Sequence, residues 1–89
     1  MTTNVELSAR AERDLRRIKR GPDRQRLVVA LQALAGEAAN LDVKALHGKA
    51  PWRRLRVGDY RVLYRPVEQG LWVERIVDRR DLDRAVATL

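Results

Sequence analysis

Cysteine is missing altogether from this 89-residue sequence. Its absence excludes a disulfide framework and any thiolate metal site, and is typical of small domains from reducing compartments. Phenylalanine is missing too, leaving Trp52, Trp72, Tyr60 and Tyr64 as the large aromatic side chains. A core must therefore be built from Leu, Val, Ile and Ala. No stretch approaches the ~20 apolar residues of a membrane-spanning helix. The start, M-T-T-N-V-E-L-S, has neither the basic opening nor the apolar run of a secretion signal. The expected location is the cytoplasm, with no membrane partner. His47 is the only histidine.

Positive charge is abundant. Nineteen Lys and Arg residues face 12 Asp and Glu, giving a formal net charge of +7 and a pI near 11.0. The hydrophobic share of 45% and charged share of 35% are those of a folded chain. Its length predicts a single domain over residues 1–89. So basic a balance points to a polyanionic partner, most often nucleic acid, with an acidic protein as the competing explanation. Within residues 49–65, Lys49, Arg53, Arg54, Arg56, Arg61 and Arg65 are opposed only by Asp59.

Patterning gives an order of elements. Asn4-Val5-Glu6-Leu7 alternates as a short strand, and Ser8 is suited to cap a helix from about Ala9. Ala11, Leu15 and Ile18 form an apolar stripe on that helix, with Arg10, Arg13, Arg17 and Arg20 on another face. Gly21 and Pro22 separate it from a second helix over about Asp23–Glu37, striped by Leu27, Leu31 and Leu34. So tight a turn predicts an antiparallel helix hairpin. Residues Ala39 to Ala50 lose periodicity and read as a connecting loop.

Three strands follow, at Trp52–Val57, Tyr60–Arg65 and Leu71–Val77. Gly58-Asp59 joins the first two in a manner that fits a type II′ turn. Leu71, Val73 and Val77 are expected on one face of the third strand. Arg79 to Arg84 is a polar end, with one turn of helix before Ala85–Leu89. The predicted fold class is α+β, with an N-terminal helix hairpin packed on a small antiparallel β-sheet.

Alternation places Arg54 and Arg56 opposite Leu55 and Val57 in facing, and Arg61, Leu63 and Arg65 opposite Tyr60, Val62 and Tyr64. One face must lie against the helices. The other is then expected to be an open, positively charged floor, onto which an anion would relieve repulsion between neighbouring strands. Guanidinium groups suit bidentate phosphate binding. The alternative is a solvated arginine face whose stems cover apolar surface.

The block W-R-R-L-R-V-G-D-Y-R-V-L-Y, preceded by K-A-L-H-G at Lys44–Gly48, resembles the centre of the RelE family of bacterial toxins. V-E-L-S-A-R-A-E-R-D-L resembles that family's first strand and helix, and I-V-D-R-R its last strand and basic pair. The resemblance implies a RelE/ParE-like fold and the toxin of a toxin–antitoxin pair, partnered by a cognate antitoxin. It implies cleavage of messenger RNA in the ribosomal A site by attack of a ribose 2′-OH on the adjacent phosphate, without metal or organic cofactor.

The same resemblance implies site residues. Arg54 stands where family members carry a lysine suggested as the base, and Arg56 and Arg61 match arginines that would hold the scissile phosphate, which makes Arg54 and Arg61 candidate catalytic residues. Arg80, ahead of Arg79, matches the arginine after the last strand, a candidate catalytic residue for phosphate stabilisation or proton donation. Lys49 and Trp52 would contact RNA; Trp52 departs from the family pattern, standing where lysine-rich members carry a second lysine, though it could still stack on a base. Arginine stabilises charge but is a poor base, which makes His47 a possible acid or base. The tyrosine that some members place after the last arginine is missing, the nearest positions being Asp83 and Arg84. Two rivals share the fold: a ParE-like inhibitor of DNA gyrase, and a catalytically degenerate member that only binds its antitoxin. For the antitoxin, the expected apolar surface is the first helix with Leu82, Val86 and Leu89, those C-terminal residues having the alternative reading of a last helix that closes the core.

Overall fold

The computed structural model describes residues 3–89; Met1 and Thr2, at the head of the M-T-T-N-V-E-L-S start, lie outside the described residues. Strand β1 (Asn4–Leu7) ends at Ser8, whose hydroxyl accepts the Ala11 amide hydrogen at 3.0 Å and so caps helix α1 (Ala9–Arg17). Ala11 is fully buried, and Leu15 and Ile18 pack beside it, as their spacing predicts. Helix α1 closes before Gly21: Ile18 is already extended (φ −74°, ψ 124°), so the last member of the stripe works from the turn. Pro22 then opens α2 (Pro22–Ala35), which buries Leu27 and Leu34.

The expected loop between α2 and the hairpin contains a strand. β2 (Val43–Ala45) pairs antiparallel with β3 (Arg53–Val57) through Val43↔Leu55 and Lys44↔Arg54. Three residues are too few to show a period of two, so composition alone hides it. β4 (Tyr60–Val67) and β5 (Gly70–Asp78) complete the meander, followed by a 3₁₀ turn (Arg79–Asp81) and α3 (Leu82–Val86). Sheet order is β1-β5-β4-β3-β2, with β1 added to β5 in parallel. Gly58 has φ 58° and Asp59 does not share a positive φ, which fits the type II′ connection. At Gly70 (φ 153°) a Cβ would collide with the Asn4 carbonyl, so the β1–β5 pairing requires glycine there.

Two cores lie on opposite faces of the sheet. The larger joins Ala11, Leu27 and Leu34 of the helices to Leu55, Val62, Tyr64, Val73 and Ile76, with Tyr60 packed at its margin. The smaller places Leu63 and Val77 against Ala85, Leu82, Val86 and Leu89. A bulge between β4 and β5 creates this division. Leu63 pairs with Arg75 and Tyr64 with Val73, leaving Glu74 as the extra residue and reversing the alternation beyond it. Val73 therefore faces the helices while Val77 faces α3, contrary to the one-face expectation for Leu71, Val73 and Val77. The charged face is likewise not open throughout, because α3 covers its β4–β5 end. Leu82, Val86 and Leu89, each partly buried, pack there against Leu63, Val77 and Ala85, as a last helix closing the core would.

Helix α1 also completes an exposed sheet edge. β1 pairs with Gly70 to Val73, and beyond that point, among the described residues, β5 has no neighbouring strand on that side. The Ser8 hydroxyl donates to the Glu74 carbonyl at 2.7 Å. Asp14 accepts the Ile76 amide hydrogen at 2.9 Å and the Arg75 Nε hydrogen at 2.8 Å. Among the described residues, no helix is long and apolar enough to cross a membrane.

Replacing Ser8 by alanine removes both the helix cap and the partner of the Glu74 carbonyl. The expected cost is about 2–3 kcal/mol, read as a lower urea midpoint with an unchanged m-value. Leu63→Ala should cost about 2–5 kcal/mol, although Leu63 faces away from both long helices. A loss below about 1 kcal/mol in the same urea titration would show that the α3 core contributes little.

Candidate functional site

The β3–β4 register sets Arg56 directly opposite Arg61 and Arg54 opposite Leu63. On the far side of β3, the Arg56 amide donates to the Asp42 carbonyl at 2.9 Å, so Asp42, Arg56 and Arg61 make one row across the sheet. The Arg54 guanidinium reaches Asp42 as well, with Nη1 3.2 Å from both Oδ1 and the main-chain oxygen. Arg54 is thus held in place, its side chain only 15% exposed. Arg56 stands exposed between it and the hairpin turn.

Arg61 is the most constrained of the group. Its Nη1 donates to the carbonyls of Gly58 at 2.9 Å and Tyr60 at 3.0 Å, folding the guanidinium back on the turn. Burial, followed by the charges of Arg56, Arg54 and Arg79, pushes its pKa below the ordinary arginine value, while Asp42 acts in the opposite sense. A guanidinium still protonated at neutral pH, yet surrounded by like charge, favours a bound anion.

Arg79 and Arg80 part company. The Arg79 amide donates to the Asp59 carbonyl at 2.8 Å, which brings the start of the 3₁₀ turn to the hairpin turn. Its Nε lies 3.9 Å from the Asp59 carboxylate, and its charge is felt at Arg61. Arg80 instead turns to Asp78, whose Oδ1 accepts both the Arg80 amide hydrogen at 2.9 Å and the Nε hydrogen at 3.0 Å. Those bonds to Arg80 hold the Asp78 carboxyl below the usual carboxylate range, and Asp78 raises Arg80 in turn.

The remaining sequence candidates are dispersed. Lys49 Nζ donates to the Leu89 carbonyl at 3.4 Å, tying the loop to the C-terminal end. Trp52 carries the Arg65 guanidinium over its ring, 5.5 Å from the centroid, a cation–π contact. His47 is exposed in the turn region after β2. Tyr64 lies in the larger core, where burial raises its pKa and a hydrogen bond to Arg53 partly offsets the rise.

Sequence reasoning missed two acids. Asp42 joins the arginines only because β2 pairs with β3, and a strand as short as Val43-Lys44-Ala45 gave no signal. Asp14 meets Arg75 across 61 positions, with no local pattern to announce the contact. Around Asp14, a second cleft of about 280 Å³ is lined by Arg10, Arg13, Arg17 and Arg75, so positive charge is not confined to the hairpin. Among the described residues, no group of three or more His, Cys, Asp or Glu side chains is placed to hold a metal ion.

Similar folds occur in solved toxin–antitoxin complexes. The RelB–RelE antitoxin–toxin complex from Methanococcus jannaschii matches with a TM-score of 0.75 and 20% identity, over 89% of this chain and 95% of that one. The E. coli DinJ–YafQ complex matches with a TM-score of 0.75 and 21% identity, over 92% and 98%. The archaeal RelE–RelB complex from Pyrococcus horikoshii gives 0.73 and 23%, over 89% and 97%. At such identities the likeness establishes the α+β fold. No curated protein matches the sequence. Residues 5–83, however, match the family model described as the ParE toxin of the type II toxin–antitoxin system parDE. With nearly the whole fold and the arginine hairpin inside that match, the chain belongs to the ParE toxin family of type II toxin–antitoxin systems.

Proposed function

We propose that this toxin cleaves messenger RNA in the ribosomal A site, and that the arginine row is its phosphate site. The observation that carries the reading is Arg61, a partly buried guanidinium whose pKa is lowered by burial and by three neighbouring arginines. Such an arrangement is costly without an anion and favourable with one. Arg61 and Arg56 would hold the non-bridging oxygens of the scissile phosphate and stabilise the charge that develops as the 2′-oxygen attacks. The O2′–P bond forms as the P–O5′ bond breaks, leaving a 2′,3′-cyclic phosphate and a 5′-hydroxyl. Arg79 extends the positive field to the end of β5. Arg54 contributes charge through a guanidinium anchored on Asp42.

A ParE-like inhibitor of DNA gyrase is the second reading. The family model favours it, as does the absence of lysine, histidine or tyrosine from the row formed by Asp42, Arg56 and Arg61. A gyrase binder, however, has no requirement for a half-buried arginine under electrostatic pressure.

In either case the partner is a cognate antitoxin, as in the solved complexes that share the fold. Its seat would be the groove of about 630 Å³ between α2 and the β3 end, lined by Val29, Ala30, Leu41 and Val57 among others. Val28 and Val29, 40% and 56% exposed, widen the apolar surface beside it. An antitoxin segment with apolar residues in that groove and carboxylates beyond it would neutralise the nearby arginines.

Arg61→Ala should slow cleavage by roughly 10²–10³-fold, the usual loss for one charge-stabilising donor, and should relieve growth arrest on expression. Arg79→Ala should slow it more than Arg80→Ala, because Arg80 is engaged by Asp78. Equal effects would remove Arg79 from the phosphate site. Primer extension on a translated message is the decisive measurement. Cuts within codons that require ribosomes support the nuclease. An intact message together with blocked gyrase supercoiling transfers the target to gyrase.

A further inference from the structure

The proposed cleavage needs a group to accept the 2′-OH proton, and the arginines cannot do so. Tyr60 and Tyr64 pack toward the opposite face of the sheet, and His47 lies outside the row in the turn after β2. Asp42 is differently placed. It stands at one end of the row Asp42–Arg56–Arg61, on the arginine side of the sheet, and its carboxylate is half exposed. Among the described residues, its hydrogen bond to Arg54 engages Oδ1 alone. Asp59, the other carboxylate near the hairpin, sits in the turn beside Arg79, with its side chain 76% exposed.

We propose that Asp42 is the general base of this toxin, an inference that rests on the nuclease reading and assigns the proton acceptor at the same site. Arg54 fixes the carboxylate through Oδ1, leaving Oδ2 to meet the 2′-OH of a nucleotide whose phosphate lies on Arg56 and Arg61. The proton passes from O2′ to Asp42 as O2′ bonds to phosphorus. The P–O5′ bond breaks with its electron pair, the departing 5′-oxygen takes a proton from water, and Asp42 returns its proton to solvent. A carboxylate is a weak base for a hydroxyl. The cations facing it, Arg54 and Arg56 on β3, Arg61 on β4 and Lys44 on β2, compensate by stabilising the oxyanion and the phosphorane.

The arrangement separates two roles that a simple ion pair would merge. If Asp42 only positioned Arg54, removing its charge would weaken RNA binding and cleavage together. As a base, it contributes to cleavage while opposing binding, because it is a negative charge beside a phosphate.

The test compares the parent, Asp42→Asn and Asp42→Glu in single-turnover cleavage of a ribosome-bound message. Binding is measured in parallel to the same RNA carrying a 2′-deoxy nucleotide at the cut site. Asp42→Asn should cut at least ~100-fold more slowly, the usual scale of general-base loss, with RNA binding unchanged or tighter. Asp42→Glu should recover part of that rate. Melting curves for both variants should stay close to the parent's, since Asn and Glu each keep a side-chain oxygen that can accept from Arg54, and the main-chain oxygen at position 42 accepts from it as well.

Cleavage by Asp42→Asn within threefold of the parent overturns the assignment, as does a parallel loss of binding and cleavage. A parent that leaves the message intact removes the nuclease reading itself and the base with it. A parent that cuts, beside an Asp42→Asn variant that cuts equally well, removes the base alone.

Discussion

The molecule is organised by the half-covered edge of β5. β1 satisfies only the first four residues of that strand, and the remaining backbone groups must find partners from a helix. Ser8 and Asp14 supply them, at the N-cap and in the middle of α1. Buried or half-buried backbone groups without partners are costly, so these bonds determine where α1 can lie. Once α1 is fixed against β5, Ala11 and Leu15 point into the larger core and α2 closes over it. The opposite face is then left for α3 and for the arginines.

That second face is divided between apolar and charged occupants. Leu63 and Val77 are covered by α3, whereas Arg54, Arg56 and Arg61 remain toward β3 and the hairpin turn. Close like charges weaken a sheet, and here they are partly balanced by main-chain carbonyls at Arg61 and by Asp42 at Arg54. Burial first, and then the charges of Arg56, Arg54 and Arg79, push the Arg61 pKa below its ordinary value, so like charge is one part of what bears on that guanidinium. Residual repulsion at a preorganised site is a stability cost that a bound anion cancels.

What was legible in the sequence was local. The Ser8 cap, the Gly58-Asp59 turn and the alternating hairpin each depend on residues within a few positions, and each was formed as read. The resemblance of the hairpin block to RelE toxins and the ParE family match meet in one shared fold. What was hidden was set by pairing at a distance. β2 becomes a strand because β3 is beside it, and only then does Asp42 enter the arginine row. The separation of Arg79 from Arg80 depends on Asp59 and Asp78 competing for neighbouring guanidinium groups, which adjacency in sequence conceals.

The Glu74 bulge has a wider consequence. By reversing the pleat of one strand, a single additional residue lets β5 serve two apolar layers that share its backbone, with Val73 in one and Val77 in the other. Side-chain volume can therefore change on one side without a matching change on the other, since coupling between packed residues is strongest where they touch. The C-terminal cap is thus free to diverge independently of the helix hairpin. A toxin lineage can remodel the surroundings of its charged face while inheriting the scaffold beneath it unchanged.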